Sequence, residues 1–241
     1  MVSDADRAAE AAIVELLRRE RPDDGILSEE GAAAAGSSDR RWVVDPLDGT
    51  TNYLYGFPVW AVSVAVEDSD GAALAGAVLD GARAELFSAA RGEGAFVQTA
   101  AFEGGPGGGG TENVPYRSEI RATPIEVRRG ASLSASLIAT GFGYEAGRRA
   151  QQAGALARIL PAVRDIRRAG AAAVDLAWVA AGRLDGYYER GLKPWDWAAG
   201  RLLVTEAGGE VAELPGEPLG LAAGAPELVP DLLALLESAG A

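Results

Sequence analysis

The chain has 241 residues, a formal net charge of −13, 48% apolar and 24% charged residues, the composition of an ordinary globular protein. It contains neither cysteine nor histidine, which excludes disulfides, thiol catalysis, thiolate zinc sites, imidazole bases and phosphohistidine chemistry, and leaves carboxylates, hydroxyls, Lys, Tyr and activated water as reagents. The acidic balance speaks against nucleic acid or an anionic membrane as the main partner. No apolar run has transmembrane length and the first residues are acidic, so a single cytoplasmic folding unit without an export signal is expected.

From Asp6 to Glu20 the residues Ala8, Ala12, Ile13, Leu16 and Leu17 recur at helical spacing, which predicts an amphipathic helix. Pro22 to Gly25 is a turn signal, and Ile26-Leu27 is a short strand running into Ser28-Glu29-Glu30-Gly31. Alone, such a glutamate pair reads as a solvated acidic turn. Trp42 to Val44 is a buried strand that Pro46 should stop, because proline has no N–H for the ladder. Asp45 and Asp48 then leave the sheet together. Gly49 permits a tight turn, and Thr50, Thr51 and Asn52 begin a segment whose amides can face an anion, as helix N-termini do.

Val59 to Val66, Leu74 to Leu79 and Glu85 to Ala89 are strands separated by turns, an antiparallel meander that Arg91 to Phe96 continues. The glycine-rich stretch from 104 to 110 is expected to be a mobile surface loop. Farther on, Ser132 to Thr140 reads as a strand, Tyr144 to Ile159 as a helix, and Val163 to Arg168 as a weakly marked strand. Gly170 to Gly182 has a helix pattern bounded by glycines, and Leu184 to Glu189 is a strand. Asp196 lies at a helix start, where an aspartate ordinarily caps, and Gly208-Gly209 ends that helix. Val211 to Leu214 is a strand, and Pro230 to Glu237 closes the chain as a packed helix. A meander followed by strand-helix alternation indicates an α+β or α/β layered sandwich, with an N-terminal part at 1–130 and a C-terminal part at 131–241 in one unit.

Glu29, Asp45, Asp48 and Asp196 all lie at the end of a strand or the start of a helix. Hard divalent ions such as Mg2+ take oxygen ligands, and two ions can clamp the attacking and leaving oxygens of a phosphoryl group. Without His or Cys the nucleophile is water, oriented by Glu29 and the Thr50 hydroxyl, with the amides of Gly49 to Thr51 on the phosphate.

The string Asp45-Pro-Leu-Asp-Gly-Thr-Thr-Asn52 resembles the signature of the inositol monophosphatase family of magnesium-dependent, lithium-sensitive sugar phosphatases. Pro194-Trp-Asp-Trp-Ala-Ala-Gly200 followed by Glu206-Ala-Gly-Gly209 resembles that family's second signature. The resemblance runs from about Ser3 to the last helix and implies the layered αβαβα fold shared with fructose bisphosphatase, two or three Mg2+ ions and a homodimer. It implies that Glu29, Asp45, the Leu47 carbonyl, Asp48 and Asp196 hold the metal, and that Glu29, Thr50 and Asp48 serve the reaction. It further implies that Gly49, Thr50, Thr51, Gly170, Ala171, Ala172, Glu189 and Asp196 meet phosphate or substrate.

Three features depart from the family pattern. Ala171 stands where relatives usually carry Ser or Thr, relatives have a helix and loop ahead of the segment matching Val2 to Asp6, and the stretch at 104–110 is an insertion. The implied activity is release of phosphate from inositol 1-phosphate or a similar small polyol phosphate. Histidinol phosphate, fructose bisphosphate and phosphoadenosine phosphate are alternatives. Thr51, where some histidinol-phosphate phosphatases carry lysine, favours the inositol branch, while a bisphosphate would draw on Arg167, Arg168, Arg190 or Lys193. A non-catalytic partner protein that keeps the fold is a reading of another class. The retained carboxylates oppose it, since a cluster without metal repels itself.

Overall fold

The computed structural model describes residues 2–99 and 122–241; the glycine-rich stretch at 104–110 lies outside them. Helix α1 (Asp4–Glu20) opens with a Ser3 cap and buries Val14 and Leu17. Eight strands form the first sheet: β1 (Gly25–Ser28), β2 (Ala33–Ala34), β3 (Arg41–Asp48), β4 (Ala61–Glu67), β5 (Ala73–Asp80), β6 (Glu85–Ala90), β7 (Gly94–Thr99) and β8 (Thr123–Pro124). Their order is β2-β1-β3-β4-β5-β6-β7-β8, antiparallel throughout except for the β1–β3 pair. The expected meander is present. Strict alternation along β4 buries Ala61, Ser63, Ala65 and Glu67 on one face, as a strand covered on that side requires.

The second sheet contains β9 (Leu137–Thr140), β10 (Asp165–Arg167), β11 (Gly186–Arg190), β12 (Glu210–Leu214) and β13 (Gly220–Gly224), in the order β10-β9-β11-β13-β12. The first three run parallel to one another, and β13 and β12 close the edge antiparallel. Between the sheets lie α4 (Ala172–Ala180) and α5 (Pro194–Glu206), which pack on each other; α5 covers the first sheet, and α4 contacts β11 and β13. Helix α4 is buried at every position but Trp178, so its sequence, Asp175 apart, is apolar all round rather than striped. Small residues permit this closeness: a Cβ on Gly76 would meet the Ala199 backbone at 2.9 Å, and one on Gly200 the Leu176 side chain at 2.6 Å. Helices α3 (Ala146–Ile159) and α6 (Val229–Ala239) pack together, with α6 against the second sheet. With α1 against β3, the layers are α, β, α, β, α, the layered α+β arrangement expected.

Three local expectations need correction, and one strand has no counterpart among them. Pro46 does not stop β3, which continues to Asp48 through a bulge: Asp45 faces Ser63 and Asp48 faces Ala61, so the two residues between them oppose one residue of β4. On the other side β1 has ended opposite Val44, and proline's missing N–H costs no ladder bond. The segment from Ser132 begins with a 3-10 turn, Leu133–Ala135, and is a strand only from Leu137. The helix expected from Tyr144 starts at Ala146. Strand β13, Gly-Leu-Ala-Ala-Gly, carries no sequence signal yet lies inside the second sheet, completely buried.

Candidate functional site

Where the sheets' helix-bearing ends meet, a cleft of about 320 Å³ is lined by Glu29, Asp45, Leu47, Asp48, Gly49 and Thr50 from one side. Gly170, Ala172, Glu189 and Asp196 line it from the other. These residues come from the end of β1, the bulge of β3, the start of α2 (Thr50–Leu54), the turn into α4, the end of β11 and the first turn of α5. Asn52 stitches the two sides: its amide donates to the carbonyls of Val59 at 2.8 Å and Ala169 at 2.9 Å. Two expected contact residues lie outside this lining. Thr51 is exposed on α2. Ala171 is only 1% exposed, and its methyl group is 3.2 Å from where a Cβ on Gly49 would stand, so it packs behind that turn.

The bulge shapes the first wall. Asp45 accepts from the Leu47 amide at 3.0 Å, and the Leu47 carbonyl accepts from the Thr50 hydroxyl at 3.1 Å. Gly49, with φ +86°, turns the chain into α2 in the left-handed region, which a side chain disfavours. Asp48 accepts from the Ala173 amide at 2.7 Å, across the cleft, at the positive end of α4. Asp196 accepts from the Lys193 amide at 2.6 Å, so it does cap α5 while lining the cleft. Capping uses one carboxylate oxygen and leaves the other available, so the capping and ligand readings of Asp196 are compatible.

Electrostatics set these carboxylates apart from surface acids. Burial, then the neighbouring Asp48 and Glu29, holds the Asp45 carboxyl well above its ordinary range. Asp48 is likewise raised by burial and by Asp196, against the Ala173 hydrogen bond. Partial burial raises Glu29, the one exposed member of the set, against a hydrogen bond with Asp45 and with Asp196 and Asp6 adding to the rise, and burial pushes Asp196 up to about 6. An all-oxygen set of mutually repelling acids is the donor chemistry that a hard divalent cation satisfies, so the residues present fit magnesium. Among the described residues no three acidic side chains are already closed around one ion-sized point. The three hydrogen bonds just described hold Asp45, Asp48 and Asp196 on backbone amides.

One residue of the site was missed in the sequence. Asp6 is fully buried and accepts from the Thr50 hydroxyl at 2.9 Å. Its other oxygen accepts from the Ser3 amide at 2.8 Å and from the Ser3 hydroxyl, the reciprocal arrangement of a capping box. The Ser-x-x-Asp spacing was a visible signal, but it announced only a helix start. The hydroxyl proton of Thr50 has two acceptors, Asp6 and the Leu47 carbonyl, and it can satisfy one at a time. With that proton directed away, the oxygen's lone pairs are free to accept from a water.

On the second wall Glu189 accepts from the Tyr187 hydroxyl at 2.7 Å, and its carboxyl is raised by burial against that bond. Arg148, Arg168, Arg190 and Lys193 border the cleft, whereas Arg167 pairs with Asp165 at 2.6 Å and is not in the lining. Among the described residues no helix is long and apolar enough to cross a membrane.

The sequence pattern of the inositol monophosphatase family matches residues 1–237. The inositol-1-monophosphatase SuhB of Mycobacterium tuberculosis is 42% identical over 98% of this chain and 78% of its own length. The Nus factor SuhB of Pasteurella multocida is 38% identical over 96% of this chain and 80% of its own. The solved structure of Mycobacterium tuberculosis SuhB superposes with a TM-score of 0.80 at 40% identity, covering 97% of this chain and 84% of that one. With a match spanning both walls of the cleft and the helices between them, this chain belongs to the inositol monophosphatase family.

Proposed function

We propose that the chain is a magnesium-dependent phosphomonoesterase that releases phosphate from inositol 1-phosphate or a similar small polyol phosphate, with water as nucleophile. The observation that carries the reading is the convergence of Glu29, Asp45, Asp48 and Asp196 with a Thr50 hydroxyl directed by a buried carboxylate. Glu29, Asp45, the Leu47 carbonyl, Asp48 and Asp196 would hold two or three Mg2+ ions, whose chemistry is to neutralise the phosphate oxygens and acidify the attacking water. Thr50 and Glu29 orient that water, Thr50 accepting one of its hydrogens while passing its own proton toward Asp6. The amides of the Gly49 turn and those at the α4 N-terminus that Asp48 does not take would meet the phosphate, and Glu189 would meet a hydroxyl of the polyol. The same reading makes the protein a cytoplasmic homodimer.

The test is phosphate release from a panel of phosphomonoesters with and without magnesium. Release should require magnesium, and Asp48→Asn should lower kcat/KM by about 10²–10³-fold, the scale seen when one element of charge stabilisation is removed. Asp48→Asn should also shrink the rise in Tm that magnesium produces by mass action. An intact protein that releases phosphate from nothing in the panel, or a variant with the full magnesium shift, would overturn the assignment.

A further inference from the structure

The cleft adjoins a second, larger cavity of about 820 Å³, within the range that small-molecule sites occupy. The two share a band that includes Phe142, Arg148, Glu189 and Arg190. This doorway is held in place by its neighbours. Glu189 accepts from the buried Tyr187 hydroxyl at 2.7 Å, and a Cβ on Gly141 would collide with its carboxylate. A Cβ on Gly143 would meet the Arg148 side chain at 2.6 Å, and one on Gly191 its guanidinium at 2.5 Å. Bare backbone at these glycines seats both side chains where the two spaces join.

The lining of the second cavity carries charges of both signs without pairing them. Glu145, Glu189 and Glu217 supply carboxylates, and Arg148 and Arg190 supply guanidiniums. Among the described residues none of these side chains forms an ion pair. Arg148 donates to the Arg190 carbonyl at 2.5 Å and Arg190 to the Pro218 carbonyl at 3.3 Å, so most of the five N–H donors of each guanidinium are unspent. Gln152 uses its amide oxygen on the Gly143 N–H at 2.9 Å and keeps its NH2 group. The opposed charges cancel any strong preference for an anion or a cation, while donors and acceptors stand at separate points of the wall. A sugar ring matches such a wall, because each of its hydroxyls both donates and accepts, and its C–H faces suit Phe142 and Tyr188.

We infer that the second cavity receives an uncharged sugar ring joined to the leaving alcohol, so that the substrate is a glycosylated polyol phosphate or a disaccharide phosphate with its ester at the carboxylates. This rests on the phosphatase reading above and extends its substrate class from a one-ring to a two-ring alcohol. Inositol 1-phosphate alone would occupy the cleft and leave the larger volume unused.

Gly147 supplies the decisive variant. It lines the cavity and not the cleft, it is exposed on α3, and a Cβ there meets nothing within 4 Å, so a large side chain enters the second space without displacing a neighbour. Tryptophan also suits a helix better than glycine. The experiment compares kcat/KM, with magnesium, for inositol 1-phosphate against its singly glucosylated derivatives and for glucose 6-phosphate against trehalose 6-phosphate. The wild type should prefer the two-ring ester of at least one pair by about 10-fold or more, and Gly147→Trp should erase that preference while leaving the one-ring esters within about 2-fold. Glucuronyl and glucosaminyl analogues, which carry a charge of either sign on the second ring, should each fall below the glucosyl ester. A wild type that favours no two-ring ester, a preference that survives in Gly147→Trp, or a charged analogue that outperforms the neutral one would overturn the inference. If no ester in the set is hydrolysed, the phosphatase reading fails, and calorimetric binding of the same pairs decides this one. Tighter two-ring binding that Gly147→Trp abolishes supports it, and equal affinities refute it.

Discussion

The two walls of the cleft are built on different plans. The first takes Glu29 from the end of β1 and concentrates Asp45, Leu47, Asp48, Gly49 and Thr50 in six consecutive residues of one bulged strand and the turn after it. The second gathers Gly170, Glu189, Asp196 and Arg148 from four separate elements, so its geometry depends on how α3, α4, α5 and β11 pack. Local covalent constraint makes the first wall tolerant of distant changes. The second inherits any displacement of the small-residue contacts between α4 and α5.

The comparison can be broken by pH. In metal-free buffer, the folded Asp196 carboxyl, at about 6, keeps a proton that the unfolded chain, with its ordinary value of 3.8, has already lost. Native protein thus binds more protons between roughly pH 4 and 6, and stability must fall as pH rises through that window, by roughly 3 kcal/mol for this group. Asp196→Asn should flatten that slope in urea unfolding with chelator present and be the more stable protein at pH 7. Parallel curves for the two proteins would mean that Asp196 does not contribute to this slope. Magnesium should restore the wild type at pH 7 and leave the variant nearly unmoved.

A smaller effect sharpens the first wall. Asp6 touches Thr50 but does not itself line the cleft, so Asp6→Asn should lower kcat by roughly 10–100-fold with little change in KM, the scale of losing an orienting partner. Asparagine keeps the cap, so Tm should change less than in Asp6→Ala. A KM effect without a kcat effect would assign Asp6 to the helix start alone. The smallest expectation concerns Ala171→Ser. Because the methyl group packs behind Gly49, a hydroxyl there enters a buried space and should cost about 1 kcal/mol while leaving KM within about 3-fold. A marked drop in KM would show that the hydroxyl reaches the substrate.

Legibility followed the same division. Asp45 to Asn52 could be read because strand, turn and ligands are contiguous, and Glu29 and Asp196 because they sit at element ends. Asp6 could not, since a capping box explains itself locally and its 44-residue reach to Thr50 leaves no spacing to detect. Arg148 is one of several arginines on a surface helix until Gly143 and Gly191 are seen beneath it. Strand β13 escaped because glycine and alanine carry little β preference, and only neighbours on both sides make the segment extended. The rule that proline ends a strand failed at Pro46 because it assumed a regular ladder.

That bulge also solves a problem of parity. In an unbroken strand, residues three apart point to opposite faces, so Asp45 and Asp48 would be divided between the two sides of the sheet. Their partners on β4, Ser63 and Ala61, are two apart and share a face. By spending one additional residue, β3 converts an odd interval into an even one, and two aspartates that the pleat would have parted arrive on the same side.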